Sequence, residues 1–145
     1  MLFREIRPED IPALFAVRAA TDENQLSYAE LAEMGITAET VKEKLEGPFK
    51  GWLSETGSEV VGFAMGDRSS GELWVIAVLP QFSGQGIGHE LLARVENGLA
   101  ESGCRRLWLT TDIDPRLKAY SFYQSHGWRD ERIENGMRYM VKILP

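Results

Sequence analysis

The spacing of apolar residues changes from a helical period to strand alternation near residue 50. Before this point, Leu2 to Ile6 favours a short strand, and acidic residues after Pro8 begin a helix whose apolar positions repeat at helical spacing. Helical spacing returns between Tyr28 and Met34, and a further helix is predicted from Thr37 to Gly47. The amino-terminal part is therefore predicted as one strand followed by helices.

Strand-length segments of alternating character follow at 50–55, 59–67 and 71–79. The turns between them, Thr56-Gly57-Ser58 and Ser69-Ser70-Gly71, are too short for a crossover helix. Strands that are joined by such short turns run antiparallel, so the three segments predict a meander.

The carboxy-terminal part alternates helices and strands. A glycine-rich turn opens a helix that runs to about Ser102, and Arg105 to Thr111 predicts the next strand. A helix is predicted from Asp114 to about Ser125, and two final strands flank the hairpin signal Asn135-Gly136. The predicted order, β-α-α-β-β-β-α-β-α-β-β, is typical of a mixed α/β layer structure.

Length and composition agree with a globular protein. The 145 residues, 43% of them hydrophobic and 26% charged, suit a single domain over residues 1–145, and no repeat or low-complexity linker divides them. The net charge of −6 has the wrong sign for non-specific binding to nucleic acid or to an anionic membrane. An anionic ligand must therefore be held by a local site.

The sequence does not indicate a membrane protein, a secreted protein or a metal-binding protein. The longest apolar stretches, such as Leu73 to Leu79, are far shorter than the ~20 residues of a membrane helix. The N-terminus lacks a basic region followed by a long apolar run, so we expect a cytoplasmic location. With Cys104 as the one cysteine and His89 and His126 as the two histidines, we expect neither an internal disulfide nor a zinc site.

The predicted fourth strand leads into a turn with three glycines, Gly84, Gly86 and Gly88, at the start of a helix. Glycines let backbone amides converge, and converging amides together with the helix dipole favour an anion. Two common phosphate motifs do not match. A dinucleotide fingerprint needs glycine where His89 or Leu91 stands, and the chain has no Gly-Lys-Ser/Thr of a Walker loop. Close helix packing is the alternative reason for these glycines.

This stretch resembles the GNAT superfamily of acyl-CoA-dependent N-acyltransferases, whose signature is a strand, a Pro-marked turn and the motif Q/R-x-x-G-x-G/A at a helix start. Aligned through Pro80, the Q/R position falls on Ser83 and the glycines on Gly86 and Gly88. A literal match that starts at Gln81 lies two residues earlier, and we prefer the alignment through Pro80. Ser83 is then a departure that removes one long polar side chain, while the main-chain amides of the turn are retained.

A second match lies in the last predicted helix, where the family reads N-x-x-A-x-x-F/Y-Y-x-x-x-G-F. The matching residues here are Ala119, Phe122, Tyr123, Gly127 and Trp128. Arg116 stands at the asparagine position, a departure that removes the asparagine side chain which the family motif places there. The resemblance spans nearly the whole chain. It implies a mixed, mostly antiparallel central sheet that is flanked by helices and splayed between its fourth and fifth strands.

The resemblance also implies a reaction, the direct transfer of the acetyl group of acetyl-CoA to a primary amine of a small molecule or protein. Tyr123 would protonate the departing thiolate or hydrogen-bond to it, and Glu72, eleven residues before Ser83, would be the base. The fourth strand would supply a main-chain oxyanion donor and pair with the pantetheine arm. The residues implied to bind the cofactor are Ile76, Ala77, Val78, Ser83, Gly84, Gln85, Gly86, Ile87, Gly88 and His89.

Each catalytic role has an alternative. Strand alternation predicts that Glu72 shares a face with Trp74, Ile76 and Val78, although a glutamate at a strand start is often only solvated. Asp112 and Asp114 compete as the base, and Asp114 is the better candidate for a helix N-cap. Tyr123 has the alternative role of a core aromatic.

Two other functions stay open, an acetyl-CoA-binding sensor without turnover and a structural protein that uses the glycines only for packing. Residues 19–36 and the hairpin around Asn135 are expected to line the acceptor side. The residues there that suit a cationic amine, but equally a solvated face, are Tyr28, Glu30, Glu33, Glu131 and Glu134. Neither the acceptor amine nor the oligomeric state, a homodimer included, can be deduced from the sequence.

Overall fold

A seven-stranded sheet forms the centre of the molecule. The computed structural model describes residues 1–23 and 26–145, so Asn24 and Gln25 of the polar stretch 19–36 lie outside the described residues. The strands are β1 (Leu2–Glu5), β2 (Phe49–Thr56), β3 (Glu59–Asp67), β4 (Glu72–Val78), β5 (Arg106–Asp112), β6 (Arg129–Glu134) and β7 (Met137–Ile143). The helices are α1 (Ile11–Ala20), α2 (Tyr28–Glu33), α3 (Ala38–Glu46), α4 (Ile87–Glu101) and α5 (Lys118–Ser125).

The strands lie in the order β1-β2-β3-β4-β5-β7-β6, and every neighbouring pair is antiparallel except β4 and β5. The parallel pair is joined at a single register position, Glu72 opposite Trp108. Beyond that position β5 continues beside β7 as far as Asp112, while β4 continues beside β3 as far as Val78. The two central strands therefore diverge, which confirms the predicted splayed, mostly antiparallel α/β fold.

A β-bulge in β4 changes which face its side chains occupy. Glu72 pairs with Asp67 of β3, whereas Ile76 pairs with Ala64, so β4 uses one residue more than β3 over the same distance. Positions 64 and 67 of β3 lie on opposite faces because side chains alternate along a strand. The prediction that Glu72 shares a face with Ile76 and Val78 is therefore wrong, since alternation is interrupted by the bulge.

The two faces of the sheet carry different helices. On one face α4 packs on β2, β3 and β4, and its predicted apolar stripe is fully buried, at Leu91, Leu92, Val95 and Leu99. On the other face α1 packs on β3 and α3 packs on β2. The ammonium of Lys44 in α3 is near enough to lower the pKa of the Glu72 carboxyl. The bulge therefore directs Glu72 toward this second face. No helix in the described part of the chain is long and apolar enough to span a membrane.

The structure contains one helix more than the predicted order, and the last helix begins later than predicted. Among the described residues, three α-helices and not two precede β2, because the spacing from Tyr28 forms the separate helix α2, which begins with a Ser27 capping box. Helix α5 begins at Lys118 and not at Asp114. The Asp114 carboxylate instead accepts a hydrogen bond from the Arg116 N–H at 3.0 Å in the preceding turn, so the predicted N-cap role is wrong.

Candidate functional site

The divergence of β4 and β5 opens a cavity of about 800 Å³, a size typical of ligand pockets. Its walls come from α1, the segment that leads to α3, β3, β4, the turn before α4, the end of β5, and α5. Tyr123, Glu72 and every residue predicted to bind the cofactor line this cavity except Gln85, which is exposed. Elements distant in sequence therefore meet at one site.

One end of the cavity is the start of α4. Gly84 and Gly86 adopt left-handed φ angles of 78° and 82°, which other residues rarely adopt, and Gly86 is the N-cap. No side chain caps this end of the helix. The first turn of a helix leaves its N–H groups without partners inside the helix, here those of Ile87, Gly88 and His89. This end of the cavity suits an anion, and the residues fit a bound pyrophosphate.

The middle of the cavity is lined by the open edge of β4. Val75, Ile76, Ala77 and Val78 all line the cavity, beyond the one position at which β4 pairs with β5. Within the described residues, no strand pairs with β4 along this edge. Its main-chain groups can therefore hydrogen-bond an extended ligand that lies between the strands.

Tyr123 lies in α5 and is only 8% exposed. Its ring contacts those of Phe122 and Trp128, with centroids 5.6 and 6.2 Å away. Burial raises the pKa of the Tyr123 phenol above its usual range, and the nearby Arg18 guanidinium opposes this effect. The phenol therefore keeps its proton at neutral pH and can donate a hydrogen bond into the cavity.

Glu72 lies at the start of β4 and is partly buried. Burial raises the pKa of its carboxyl, the Asp67 charge raises this pKa further, and the Lys44 ammonium lowers it. No ion pair or hydrogen bond to the Glu72 carboxylate exists among the described residues. The carboxylate is thus a better base than an ordinary glutamate and is available to a ligand.

The competing carboxylates are placed differently. Asp112 lines the cavity at the end of β5, where its Oδ1 accepts a hydrogen bond from the Asp114 N–H at 2.8 Å. Hydrogen bonds from Arg116 lower the pKa of the Asp114 carboxyl to about 2. Neither Asp114 nor Arg116 lines the cavity. Arg116, which stands where the family motif has asparagine, is bound to Asp114 instead.

Arg18 is a cavity residue that the sequence analysis missed. It lies in the last turn of α1, half-buried beside Tyr123, and burial lowers the pKa of its guanidinium. The sequence contains a signal for this position, because Arg18 lies four residues after the buried Leu14 and so on the same side of α1.

His89 has a side-chain contact in addition to the main-chain amide expected of it. Its Nδ1 lies 2.8 Å from Nε2 of His126, whose own Nδ1 lies 2.7 Å from the Phe122 carbonyl. Because a carbonyl only accepts, Nδ1 of His126 carries a hydrogen, and in the neutral pair its Nε2 accepts from His89. The two histidines therefore join the start of α4 to the end of α5.

The segment after α1 is joined to the start of α5. The Lys118 ammonium pairs with Asp22 at 2.7 Å, and the Lys118 N–H donates to the Glu23 carboxylate at 2.8 Å. This connection positions the helix that carries Tyr123. It thereby links the predicted acceptor side of the cavity to the predicted cofactor side.

Comparison with known proteins assigns the fold to a family. Residues 13–128 match the acetyltransferase (GNAT) family. The chain belongs to this family. The resemblance found in the two sequence motifs is thereby confirmed.

Relatives of this GNAT chain are similar over part of their length. An acetyltransferase of Photorhabdus laumondii is 38% identical over 70 residues, which are 47% of this chain and 49% of the relative. An N-acetyltransferase of Prochlorococcus marinus is 35% identical over 75 residues, which are 48% of this chain and 38% of the relative. The chain thus matches half or less of the length of these curated relatives.

Solved structures share the fold over nearly the full chain. The PaiA N-acetyltransferase of Thermoplasma acidophilum, solved in complex with coenzyme A, has a TM-score of 0.84, 18% identity and 99% coverage of both chains. A GNAT-family acetyltransferase of Staphylococcus aureus has a TM-score of 0.82, 17% identity and the same coverage. At these identities the similarity establishes the fold.

Proposed function

We propose that this GNAT-family chain transfers the acetyl group of acetyl-CoA directly to a primary amine. The observation that carries the proposal is the cavity between β4 and β5, which unites the uncapped start of α4, the open edge of β4, Tyr123 and Glu72. Membership of an acetyltransferase family supports the activity. The coenzyme A complex of the PaiA N-acetyltransferase supports the donor.

The chain offers separate groups to each part of acetyl-CoA. The N–H groups of Ile87, Gly88 and His89 would hold the pyrophosphate, and the Ser83 hydroxyl adds a short polar group beside them. The main chain of β4 from Ile76 to Val78 would pair with the pantetheine arm and donate to the thioester oxygen.

Acetyl-CoA supplies a thioester carbonyl, at which a carbon–nitrogen bond forms while the carbon–sulfur bond breaks and the thiolate leaves. Glu72 accepts a proton from the amine, directly or through a water molecule, and its raised pKa suits this role. Tyr123 donates a hydrogen bond to the sulfur as negative charge develops there. Because its own pKa is raised, the phenol stabilises the thiolate more readily than it surrenders its proton.

Direct transfer is preferred to transfer through an acetylated enzyme. The one cysteine of the chain, Cys104, does not line the cavity, and its Sγ lies 3.3 Å from the Arg68 carbonyl oxygen. A thiol in this position cannot reach a thioester bound beside Tyr123. Both substrates would therefore have to be bound together.

The test is CoA release from acetyl-CoA in the presence of a broad panel of primary amines, with the acetylated product identified by mass spectrometry. Initial rates measured at several fixed amine concentrations should give intersecting reciprocal plots, as a ternary complex requires. Parallel plots, together with an acetylated enzyme, would contradict direct transfer. Acetyl-CoA binding without turnover on any amine would support the sensor instead.

A further inference from the structure

Apolar side chains dominate the acceptor side of the cavity. They come from α1, α2, the segment that follows α2, and the face of β3 and β4 on which Glu72 lies. Six of these apolar side chains are Leu14, Phe15, Leu31, Met34, Met65 and Trp74. A ligand that fills this side must therefore present apolar surface, because an unpaired polar group buried there would lose its hydration.

The acidic residues predicted to face a cationic acceptor do not line the cavity. Glu30 caps α2 by accepting the Ser27 N–H at 3.1 Å, and Glu131 and Glu134 pair with arginine side chains. Glu33 and the exposed Tyr28 also lie outside the cavity wall. These groups therefore do not select a polyamine or another multiply charged acceptor.

The carboxylates that do line the cavity have structural partners, with one exception. Asp22 and Glu23 hold the first residue of α5, and Asp112 accepts a main-chain hydrogen bond from the loop after β5. The carboxylate of Glu72 has no such partner among the described residues. The strand face that carries Glu72 thus combines this one unpaired carboxylate with apolar side chains.

Two methionines extend this surface to the entrance. Met34, which follows α2, is 63% exposed, and Met137, which begins β7, is 39% exposed, although both line the cavity. Methionine is flexible and polarisable, so it adapts to apolar ligands of different shape. An apolar ligand would cover side chains that otherwise face water.

We infer that the acceptor is a small primary monoamine on an apolar body, an alkylamine or an arylalkylamine, with its amine at Glu72 and its body against Met34 and Trp74. This assignment rests on the proposed acetyl transfer and adds the class of acceptor to it. On the strand face that carries Glu72, a second ammonium on the acceptor would lie among apolar side chains without a counter-charge.

The experiment compares hexylamine with cadaverine, a pair with equal numbers of heavy atoms in which an ammonium replaces a methyl group. We expect kcat/KM for hexylamine to exceed that for cadaverine by at least about tenfold, because the second charge is desolvated without a partner. Phenethylamine should behave like hexylamine. An equal or higher value for cadaverine would overturn the assignment, as would a higher value for a peptide α-amine than for either apolar amine.

A variant at the entrance gives an independent test. Met34→Glu adds a carboxylate at an exposed position. It should lower the ratio of kcat/KM for hexylamine to kcat/KM for cadaverine about tenfold, while Met34→Leu should leave this ratio unchanged. The control Ile133→Glu changes an equally apolar residue that is 59% exposed outside the cavity, and should leave the preference unchanged. Equal effects of both glutamates would overturn the assignment.

The outcomes separate this assignment from the function on which it rests. If cadaverine or a peptide is acetylated in preference to the apolar amines, the proposed acetyl transfer is supported and only the proposed class of acceptor is wrong. Absence of CoA release with every amine, while acetyl-CoA still binds, overturns the transfer and the acceptor class with it.

Discussion

Burial raises the pKa of two side chains in the cavity and thereby prepares them for different tasks. The Tyr123 phenol becomes a weaker acid that keeps its proton, and the Glu72 carboxyl becomes a stronger base. Arg18 moderates the effect on Tyr123, and Lys44 moderates the effect on Glu72. Each cation lowers the pKa of only one of the two groups. The local surroundings of each side chain therefore suit Tyr123 to donate a hydrogen bond and Glu72 to accept a proton.

Tyr123→Phe should lower kcat roughly 10²-fold and leave acetyl-CoA affinity nearly unchanged. The hydroxyl is needed when charge develops on sulfur and contributes little before that point. Steady-state kinetics and direct measurement of acetyl-CoA binding check this prediction. An unchanged kcat, with chemistry shown to be rate-limiting, would reduce Tyr123 to a packing residue.

Glu72→Gln should keep acetyl-CoA binding and lower turnover roughly 10²-fold near neutral pH, the low end for loss of a general base. Activity should partly recover at higher pH, because more of the amine is then already unprotonated. The measurement is a rate profile from pH 6 to 9. A variant as active as the wild type over this range would exclude Glu72 as the base and make Asp112 the next candidate.

The same substitution should raise thermal stability at neutral pH. The pKa of Glu72 is higher in the folded than in the unfolded protein, so the folded state is penalised when the carboxyl ionises. This penalty is absent below the unfolded pKa of about 4.3 and complete above the folded pKa. Melting temperatures should therefore differ most above the folded pKa and converge as the pH falls toward the unfolded pKa. A less stable variant at pH 8 would contradict the burial of this charge.

At the scale of elements, two local irregularities form the site. The bulge in β4 turns Glu72 toward the acceptor side while the end of the strand stays beside the turn that leads to α4. The left-handed glycine Gly86 ends that turn and leaves the first amides of α4 open to a ligand. Each irregularity interrupts regular structure at a point where the proposed function places a substrate.

Gly86→Val should weaken acetyl-CoA binding at least about tenfold, because valine rarely adopts a positive φ and would displace the first amides of α4. A Cβ at Gly86 meets no atom within 4 Å, so the cost is backbone strain and not a clash. The matched control is Gly57→Val, which has a φ of 62° and open space in a turn outside the cavity. Calorimetric titration should show near-normal binding for this control and for Cys104→Ala. Equal loss in Gly86→Val and Gly57→Val would contradict the assignment of the turn.

At the scale of the whole molecule, the sheet is continuous at one end of the β4–β5 pair and open at the other. Within the sheet, the one pairing position of Glu72 and Trp108 therefore connects two antiparallel parts, β1 to β4 and β5 to β7. A ligand in the cavity would contact both parts and add to the connections that Lys118 and His126 make between them.

Acetyl-CoA should consequently stabilise the folded protein. A ligand at about 100 times its dissociation constant adds roughly 2.7 kcal/mol to the free energy of unfolding, which for a protein of this size raises the melting temperature by roughly 5–10 °C. A thermal-shift titration measures the effect. If millimolar acetyl-CoA caused no shift in well-folded protein, both the enzyme and the sensor functions would be refuted.

The sequence alone determined the order of most elements, the glycine turn before α4 and the positions of Tyr123 and Glu72, because each depends on spacing within one segment. Tertiary structure decided the face on which Glu72 lies, since the bulge arises from pairing with β3. Tertiary structure also brings His89 into contact with His126 and places Arg18 beside Tyr123. It places the acidic residues of α2 and of the hairpin outside the cavity wall. These features depend on contacts between distant segments, which local periodicity does not encode.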